Sequence, residues 1–263
     1  MRASVSILFL SCLMLQGSML PTLHLDTPTL NAFEAYIANY EKTVEARYLS
    51  SGKVWIDDGK KGGFDSGKPI AEPRQNADLV NGSIHHFTGA IRVKGGTIDA
   101  VQRVMEDYPN YPKYFTPDVG RAVGVKQADS KPGDDHFLGN LLLVQQTLWI
   151  AVTFDTTYDT HYRRLDKDHW MSRSVAVSIK EMREAGNPSS GFFPEGDDHG
   201  FLWKTHTYWY ARERDGGLDL IADSISLSRP NISGFGWWGT KRSKDAVEKM
   251  LHDLKAAIDT PAR

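Results

Sequence analysis

Apolar residues recur every three or four positions in two stretches of the chain, and both stretches are predicted to be helices. In residues 30–49 the apolar side consists of Phe33, Ile37, Tyr40, Val44 and Leu49. After Ser243, near the end of the chain, a broad apolar side consists of Val247, Met250, Leu251, Leu254, Ala257 and Ile258. This spacing is typical of a helix that buries one face. The chain is therefore predicted to have an N-terminal helix and a long C-terminal helix.

The region between these helices alternates apolar and polar residues, as β-strands do. A first strand near residues 83–93 is followed by a helix that starts at Thr97. Six more strands are predicted at about residues 119–127, 136–146, 148–163, 168–181, 201–213 and 217–229. Short polar turns connect them, which indicates an antiparallel meander. A curved antiparallel sheet with one face to fill is expected to close around the C-terminal helix.

The first eighty residues are predicted to lie outside this sheet. Residues 1–20 place Arg2 before a short apolar run, which is the pattern of a secretory signal peptide. The cleavage site is weak, so retention as an uncleaved anchor stays open. Residues 21–80 are predicted to form the N-terminal helix and a flexible linker rich in Gly, Lys and Asp. The expected location is exported, either periplasmic or secreted.

Composition excludes several classes of function. The formal net charge is -2, with 31 Lys and Arg scattered among 33 Asp and Glu, so no nucleic-acid partner is expected. Cys12 is the only cysteine, and it lies in the predicted signal peptide. A chain cleaved beyond it would have no disulfide, no thiol nucleophile and no thiolate metal site.

The motif DYPNYPKYFTPDV at residues 107–119, together with the order of helices and strands, resembles the START-like helix-grip superfamily (SRPBCC). The residues that fit its pattern are Asp107, Tyr108, Tyr111, Tyr114, Phe115, Pro117 and Val119. The resemblance covers residues 81–260. The stretches SIHHFTG, GFLWKTHTYWY and SISLSRP also look like a bacterial branch of the superfamily. It implies an α+β helix-grip fold, in which seven curved antiparallel strands wrap around the C-terminal helix. The superfamily includes both carriers and catalysts, so the resemblance alone does not assign an activity.

The strand predicted at residues 201–213 suggests the wall of a pocket. With a period of two, Phe201, Trp203, Thr205 and Trp209 point to one side, which is expected to face the interior. An apolar wall with sparse polar anchors is the usual make-up of a small-molecule site. Dense aromatic packing of a closed core is the alternative. The other residues predicted to bind ligand are Tyr158 and Arg173 from neighbouring strands, and Met250 and Leu254 from the C-terminal helix.

Two features around this wall have open alternatives. Arg173 lies on the apolar side of its strand, so it is expected to pair with Asp155 or Asp223, or to meet an anionic group of a ligand. The segment at residues 230–242 is predicted to be a loop that carries Phe235, Trp237 and Trp238. These rings either tuck under the C-terminal helix or form a lid that touches a membrane transiently.

No catalytic motif is present, and the candidates for a general base are weak. His86 with Asp155, or His206 with Asp223, would need the strands to bring them together. The tetrapeptide GDDH occurs at Gly133–His136 and again at Gly196–His199. The repeat suggests a metal site built from Asp and His ligands. Each copy is nevertheless interpreted as turn chemistry, because it lies in a polar Gly turn just before a strand, where Asp is favoured. We therefore predict no metal and no cofactor.

The sequence favours an exported START-like protein that binds a hydrophobic or amphipathic small molecule between its sheet and its terminal helix. The ligand class includes lipids, sterols, quinones and polyketide-like molecules. One alternative is a cyclase or hydrolase that uses a pocket histidine as its base. Another is a fully packed structural module without a ligand.

Overall fold

The structure, a computed structural model, describes residues 21–45, 64–146, 151–230 and 236–260. The predicted signal peptide lies outside these ranges. The helices are α1 (Thr27–Tyr40), α2 (Ile98–Glu106), α3 (Tyr111–Tyr114) and α4 (Gly236–Asp259), with a π-helical turn at Glu41–Glu45 and 3-10 turns at Tyr108–Asn110 and Pro188–Ser190. The strands are β1 (Leu23–His24), β2 (Ile70–Asp78), β3 (Ser83–Lys94), β4 (Val119–Lys126), β5 (Asp134–Gln146), β6 (Ala151–Arg164), β7 (His169–Glu181), β8 (Asp197–Asp198), β9 (Lys204–Arg214) and β10 (Gly217–Ser228).

Eight of these strands form one antiparallel sheet in the order β2-β3-β10-β9-β7-β6-β5-β4. Strands β4 to β7 pair with their neighbours in sequence, as a meander does. The last strand, β10, returns beside β3. A long C-terminal helix packs against one face of this sheet. The predicted START-like helix-grip fold is thus confirmed, and the seven predicted strands are β3, β4, β5, β6, β7, β9 and β10.

The eighth strand, β2, comes from a segment that the sequence suggested was a linker. It pairs with the outer edge of β3, with a register shift between Pro73 and Gln75. Proline is tolerated in a strand at the edge of a sheet, where its missing N–H costs no ladder hydrogen bond. Residues 70–78 therefore extend the sheet, and the division of the chain into domains stays a prediction.

Helix α4 covers the face of the sheet that we call the grip face. Its residues Val247, Leu251 and Leu254 share one apolar cluster with Phe87 and Trp209 of the sheet. The close approach depends on Gly89, where an added Cβ would lie 2.4 Å from Val247 Cγ1. Among the described helices, none has the length and apolarity needed to cross a membrane.

Helix α4 begins at Gly236 and not after Ser243 as the sequence suggested. Trp237 and Trp238 therefore lie in its first turn, and the predicted loop is shorter than expected. Phe235 lies outside the described residues. The predicted lid formed by these three residues stays a prediction.

Helix α1 covers the opposite face of the sheet, which we call the outer face. The predicted N-terminal helix is confirmed for residues 27–40, and Asp26 caps it by accepting a hydrogen bond from the Thr29 N–H at 2.7 Å. A second apolar cluster joins Phe33, Ile37 and Tyr40 to Tyr208 and other residues of the sheet. The predicted positions Val44 and Leu49 have no described side chains. The central strands are thus buried on both faces.

The motif at residues 107–119 packs the α2–β4 connection onto the edge of the sheet. The Tyr108 ring lies over Gly124 and Gly139, where an added Cβ would come within 2.4 Å of the ring atoms. The Tyr108 hydroxyl contacts the Tyr162 hydroxyl at 2.9 Å, and the Tyr111 hydroxyl donates to the Met105 carbonyl at 2.5 Å. The tyrosines therefore fix the connection by filling a glycine-lined space and by satisfying backbone groups.

The close approach of α4 to β3 predicts the effect of a single methyl group. We expect Gly89→Ala to lower the free energy of unfolding by about 1–3 kcal/mol, because the new Cβ overlaps Val247 and Leu251. Gly120→Ala is the matched control, since its Cβ would meet atoms no closer than 3.5 Å, and we expect a change within about 0.5 kcal/mol. Urea denaturation measures both. Equal effects of the two substitutions would contradict the packing described for α4.

Candidate functional site

The grip face has an apolar part and a polar part. The apolar part lies under α4 and consists of Phe87, Ile91, Trp209, Ala211, Leu218 and Leu220 with the helix residues named above. The polar part lies on the same strands, closer to the end at which β10 leads into α4. This division follows from alternation, because every second residue of a strand faces the same side.

The polar part begins with a row of hydroxyl groups that crosses four neighbouring strands. Cross-strand pairing joins Thr160 to Ser174, Ser174 to Thr207, and Thr207 to Ser224. The Thr160 and Ser174 hydroxyls hydrogen-bond to each other at 2.7 Å. Ser174, Thr207 and Ser224 keep partly accessible side chains. The row thus offers hydroxyl groups to the space above the sheet.

A second row follows along the sheet and contains a histidine. Thr205 pairs with Ser226, and Ser226 pairs with His85 on β3. The His85 Nε2 contacts the Ser228 hydroxyl at 3.0 Å. Burial lowers the pKa of His85, although Asp78 opposes this effect. A neutral imidazole in this position can either donate or accept a hydrogen bond.

Three buried polar atoms of the grip face have no hydrogen-bond partner in the described part of the chain. They are His85 Nδ1, Trp170 Nε1 and Ser172 Oγ. An unsatisfied buried donor or acceptor costs about 1–3 kcal/mol, so such groups are uncommon in folded proteins. Their presence on one face gives this face unused capacity for hydrogen bonding.

Tyr158 combines residual accessible surface with a strongly desolvated hydroxyl. It packs against the apolar part of the grip face and against a smaller cluster with Val152 and Phe154. Burial raises the pKa of Tyr158 to about 12, an effect that a Thr156 hydrogen bond reduces. Its side chain is nevertheless only half-buried. Tyr158 thus places a partly accessible ring beside the apolar part of the grip face.

Most residues predicted to bind ligand lie on the grip side. Trp209 and Leu254 are buried in its apolar cluster, and Met250 and Tyr158 pack against that cluster with part of their surface free. Thr205 belongs to the second polar row. Phe201 is half-buried against the Val152 and Phe154 cluster, which Tyr158 also contacts. Their role in binding stays a prediction.

Arg173 lies on the outer face, so its placement in the pocket was wrong. Its Nε donates to the Glu41 carboxylate at 2.7 Å, and this partner is neither Asp155 nor Asp223. Glu41 comes from the π-helical turn after α1 and also accepts from the Tyr208 hydroxyl at 2.8 Å. The ion pair is half-exposed and fastens that turn to the sheet. The sequence pattern assigned Arg173 to the wrong face because both faces of the sheet are covered by helices. The apolar neighbours of Arg173 therefore do not identify the grip face.

Trp203 also lies on the other side of the sheet from Trp209, contrary to the prediction. Strand β9 begins at Lys204, so Trp203 precedes it and does not follow its alternation. The indole packs in the α1 cluster, and its Nε1 donates to Asp198 at 3.0 Å. Trp203 is therefore a core residue of the outer face.

The two histidines considered as general bases are both beneath α1. His86 pairs with Asp223 at 3.4 Å, and its Nδ1 contacts the Tyr36 hydroxyl at 2.8 Å. Asp223 also accepts from the Tyr40 hydroxyl at 2.7 Å and from Thr88. His206 lies against the Phe33 ring. The expected pairs of His86 with Asp155 and of His206 with Asp223 do not form.

The histidine of β3 that lies on the grip face is His85, not the predicted His86. His85 and His86 point to opposite faces, as expected from their adjacency in a strand. The signal that could have identified His85 is its parity with Phe87, Ile91 and Val93, which all belong to the apolar cluster under α4.

Comparisons with known proteins give similarity in structure only. No protein-family model matches the chain, and no curated protein matches it. A STAR-related lipid transfer protein fragment from Xanthomonas axonopodis has 17% identity and a TM-score of 0.48, and the match covers 71% of this chain and 98% of that one. Human STARD10 has 12% identity and a TM-score of 0.45, with 80% and 83% covered. The human StarD13 (DLC2) lipid transfer and protein localization domain has 10% identity and a TM-score of 0.44, with 79% and 100% covered.

At these TM-scores the likeness carries no argument about ligand or activity. The class of the protein follows from its own topology. The chain has a START-like helix-grip fold, and its candidate site is the half-polar grip face beside α4.

The burial of His206 predicts a loss of stability in acid. Burial and the nearby Arg173 lower the pKa of His206 to about 4, and Glu41 only partly opposes them. The unfolded value is about 6.5, so the folded state binds fewer protons between these values. Stability is therefore complete above pH 6.5 or so and declines as the pH falls towards 4.

We expect His206→Gln to make the free energy of unfolding less dependent on pH between about 7 and 4.5. Urea denaturation at several pH values measures this slope. His252→Gln is the control, because the His252 side chain is 70% exposed and should leave the slope unchanged. A wild-type slope in His206→Gln would show that His206 is not the group responsible.

Proposed function

We propose that the chain is a binding protein for an amphipathic small molecule, which it holds between the grip face and α4. The apolar body of the ligand lies against Trp209, Tyr158, Met250 and Leu254. Its polar group lies at the hydroxyl rows. Lipids, sterols, quinones and polyketide-like molecules all combine these two parts.

The observation that carries this proposal is the concentration of unused hydrogen-bonding groups on one face. A core that only packs would bury apolar side chains there, since a buried hydroxyl without a partner is costly. Instead, the row from Thr160 to Ser224 and the row from Thr205 to His85 lie next to the apolar part. A ligand oxygen would provide a partner for the half-exposed hydroxyls of these rows and for the unpaired His85 Nδ1.

A carrier is favoured over a cyclase or hydrolase. The proposed bases, His86 and His206, are packed under α1 on the far side of the sheet, and their partners are Asp223, Tyr36 and Tyr208. A substrate held at the grip face would be separated from both by the sheet itself. The enzyme alternative therefore has no support from the residues that suggested it.

Export and a transient membrane contact are part of the same proposal. They are supported by the basic and apolar pattern of residues 1–20 and by Phe235, Trp237 and Trp238 near the start of α4. A carrier that collects an apolar molecule from a membrane outside the cytosol would need both export and membrane contact. Cell fractionation that finds the protein only in the cytosol would contradict the export.

We expect native mass spectrometry of the exported protein to detect a copurified small molecule that solvent extraction releases. Uptake is then measured with a sterol, a quinone and a fatty acid. The preferred ligand should bind about three- to tenfold more weakly to Thr207→Val, because the substitution removes one hydrogen bond and keeps the shape. The absence of any bound species and of any uptake would contradict the proposal and favour a fully packed module.

Thr157→Val is the matched control for this measurement. Thr157 is a half-buried threonine of β6 whose alternation directs it to the outer face. The same atoms change, but on the wrong side of the sheet. Equal affinities of the two variants would place the ligand away from the hydroxyl row.

A further inference from the structure

A cluster of two histidines and one aspartate lies on the outer face, away from the proposed ligand site. His136 on β5 pairs directly with His161 on β6, and Asp159 precedes His161 by two residues. These three side chains therefore share one face of a two-strand ribbon. One ligand atom from each of them lies within 4.8 Å of the others.

The distances within the cluster suit ligands of a single ion. The Asp159 carboxylate oxygen lies 3.2 Å from His136 Nε2 and 3.8 Å from His161 Nε2. Two ligand atoms on a tetrahedral zinc ion, each about 2.0–2.1 Å from it, are separated by about 3.3 Å. Only small movements of the side chains would bring all three atoms into coordination.

The Nδ1 atom of each imidazole contacts a carboxylate other than that of Asp159. His136 Nδ1 contacts Asp129 at 2.7 Å, and His161 Nδ1 contacts Asp134 at 3.0 Å. When each Nδ1 carries the proton, both Nε2 lone pairs are free to bind an ion, and the Asp159 carboxylate lies nearby. Metal-binding histidines almost always have such a second partner, which fixes the ring and its tautomer.

The Nε2 atom of His136 makes no hydrogen bond within the described part of the chain. It is buried, and the Asp159 carboxylate is only 3.2 Å away. The two rings are stacked with centroids 4.3 Å apart and an angle of 8°. Coordination would tilt the rings so that both lone pairs point to one ion. The neighbouring cation Arg173, which pairs with His161 across the strands, is already bound to Glu41.

We propose that His136, Asp159 and His161 bind a divalent transition-metal ion of the zinc class. Two imidazoles and one carboxylate favour zinc, copper, nickel or cobalt over magnesium and calcium, which prefer oxygen ligands. Solvent can complete the coordination, because Asp159 and His161 are 38% and 37% exposed. The first GDDH copy thus has two roles: Gly133 makes the turn with a φ of +82°, and Asp134 and His136 support the site.

The second GDDH copy forms no such group within the described residues. His199 is buried and contacts Glu181 through Nδ1 at 2.5 Å. Asp198 accepts from the Gly200 N–H and from Trp203. Its carboxylate and imidazole groups are used by the fold, so identical tetrapeptides differ in their surroundings.

The test is a titration of the full chain, purified without a histidine tag and stripped with a chelator, with Zn²⁺ and separately with Co²⁺. We expect one ion per chain by calorimetry, and a visible Co²⁺ spectrum with nitrogen ligands. His161→Gln should weaken binding by about 100-fold or more, and Asp134→Asn, which only orients His161, by about 10- to 100-fold. His161 is half-exposed, so folding is preserved, and circular dichroism verifies it.

His169→Gln is the matched control. His169 also pairs with an aspartate, Asp166, at 2.9 Å, but among the described residues it belongs to no cluster of three potential metal ligands. Its substitution should leave the affinity unchanged. If neither ion binds, or if His136→Gln and His161→Gln together bind Zn²⁺ as tightly as the wild type, the proposal is wrong.

Discussion

Strands β3, β9 and β10 are buried on both faces, and the rest of the structure depends on this double burial. Most apolar side chains of these strands enter one of two cores, under α4 or under α1. A polar group on such a strand loses its water, so it must find a partner or carry a cost. Asp219 and Asp223 of β10 are each only 1% exposed. Asp219 pairs with Arg92 and Arg214, and Asp223 accepts hydrogen bonds from Tyr40 and Thr88.

The two faces satisfy their polar groups in different ways. On the outer face, Tyr36, Tyr40 and Glu41 reach down from the N-terminal segment to the polar groups of the sheet. Burial of the Tyr40 hydroxyl raises the pKa of Tyr40, and the negative charge of the nearby Asp223 adds to this effect. Tyr40 therefore remains a hydrogen-bond donor throughout the physiological range. On the grip face, the α4 residues Val247, Leu251 and Leu254 contribute apolar packing.

This difference explains why the amphipathic small molecule is expected on the grip face. The outer face is closed by tyrosines that donate to buried acceptors. On the grip face, the Ser172 hydroxyl, the Trp170 indole N–H and the His85 Nδ1 have no hydrogen-bond partner in the described chain. The outer face shows that this chain can satisfy a buried polar layer with its own side chains. The unpaired atoms of the grip face support the proposed binding site there.

Much of this arrangement follows from the sequence, because alternation is a local property. The period of two places Thr205, Thr207 and Trp209 together, and the period of 3.6 identifies the buried sides of α1 and α4. Local patterns fail at the ends of elements, as Trp203 shows by standing one residue before β9. They also fail for partners, since only the register between β3 and β10 brings His86 near Asp223. Strand β2 was missed because Pro73 and its polar neighbours are typical of a loop, and only the edge of a sheet tolerates them.

Core packing explains where the two histidines of β5 and β6 lie, but it does not explain their contacts with nearby carboxylates. Phe137 and Tyr162 must face the core under the sheet, so their neighbours His136 and His161 must face away from it. The register then sets the two histidines opposite each other. Core packing does not explain why Asp129 and Asp134, from the turn and from the start of β5, each hold one of the rings. This cluster and the hydroxyl rows lie on opposite faces of the sheet. Substitutions in one are therefore not expected to change binding at the other, and the two proposals are tested independently.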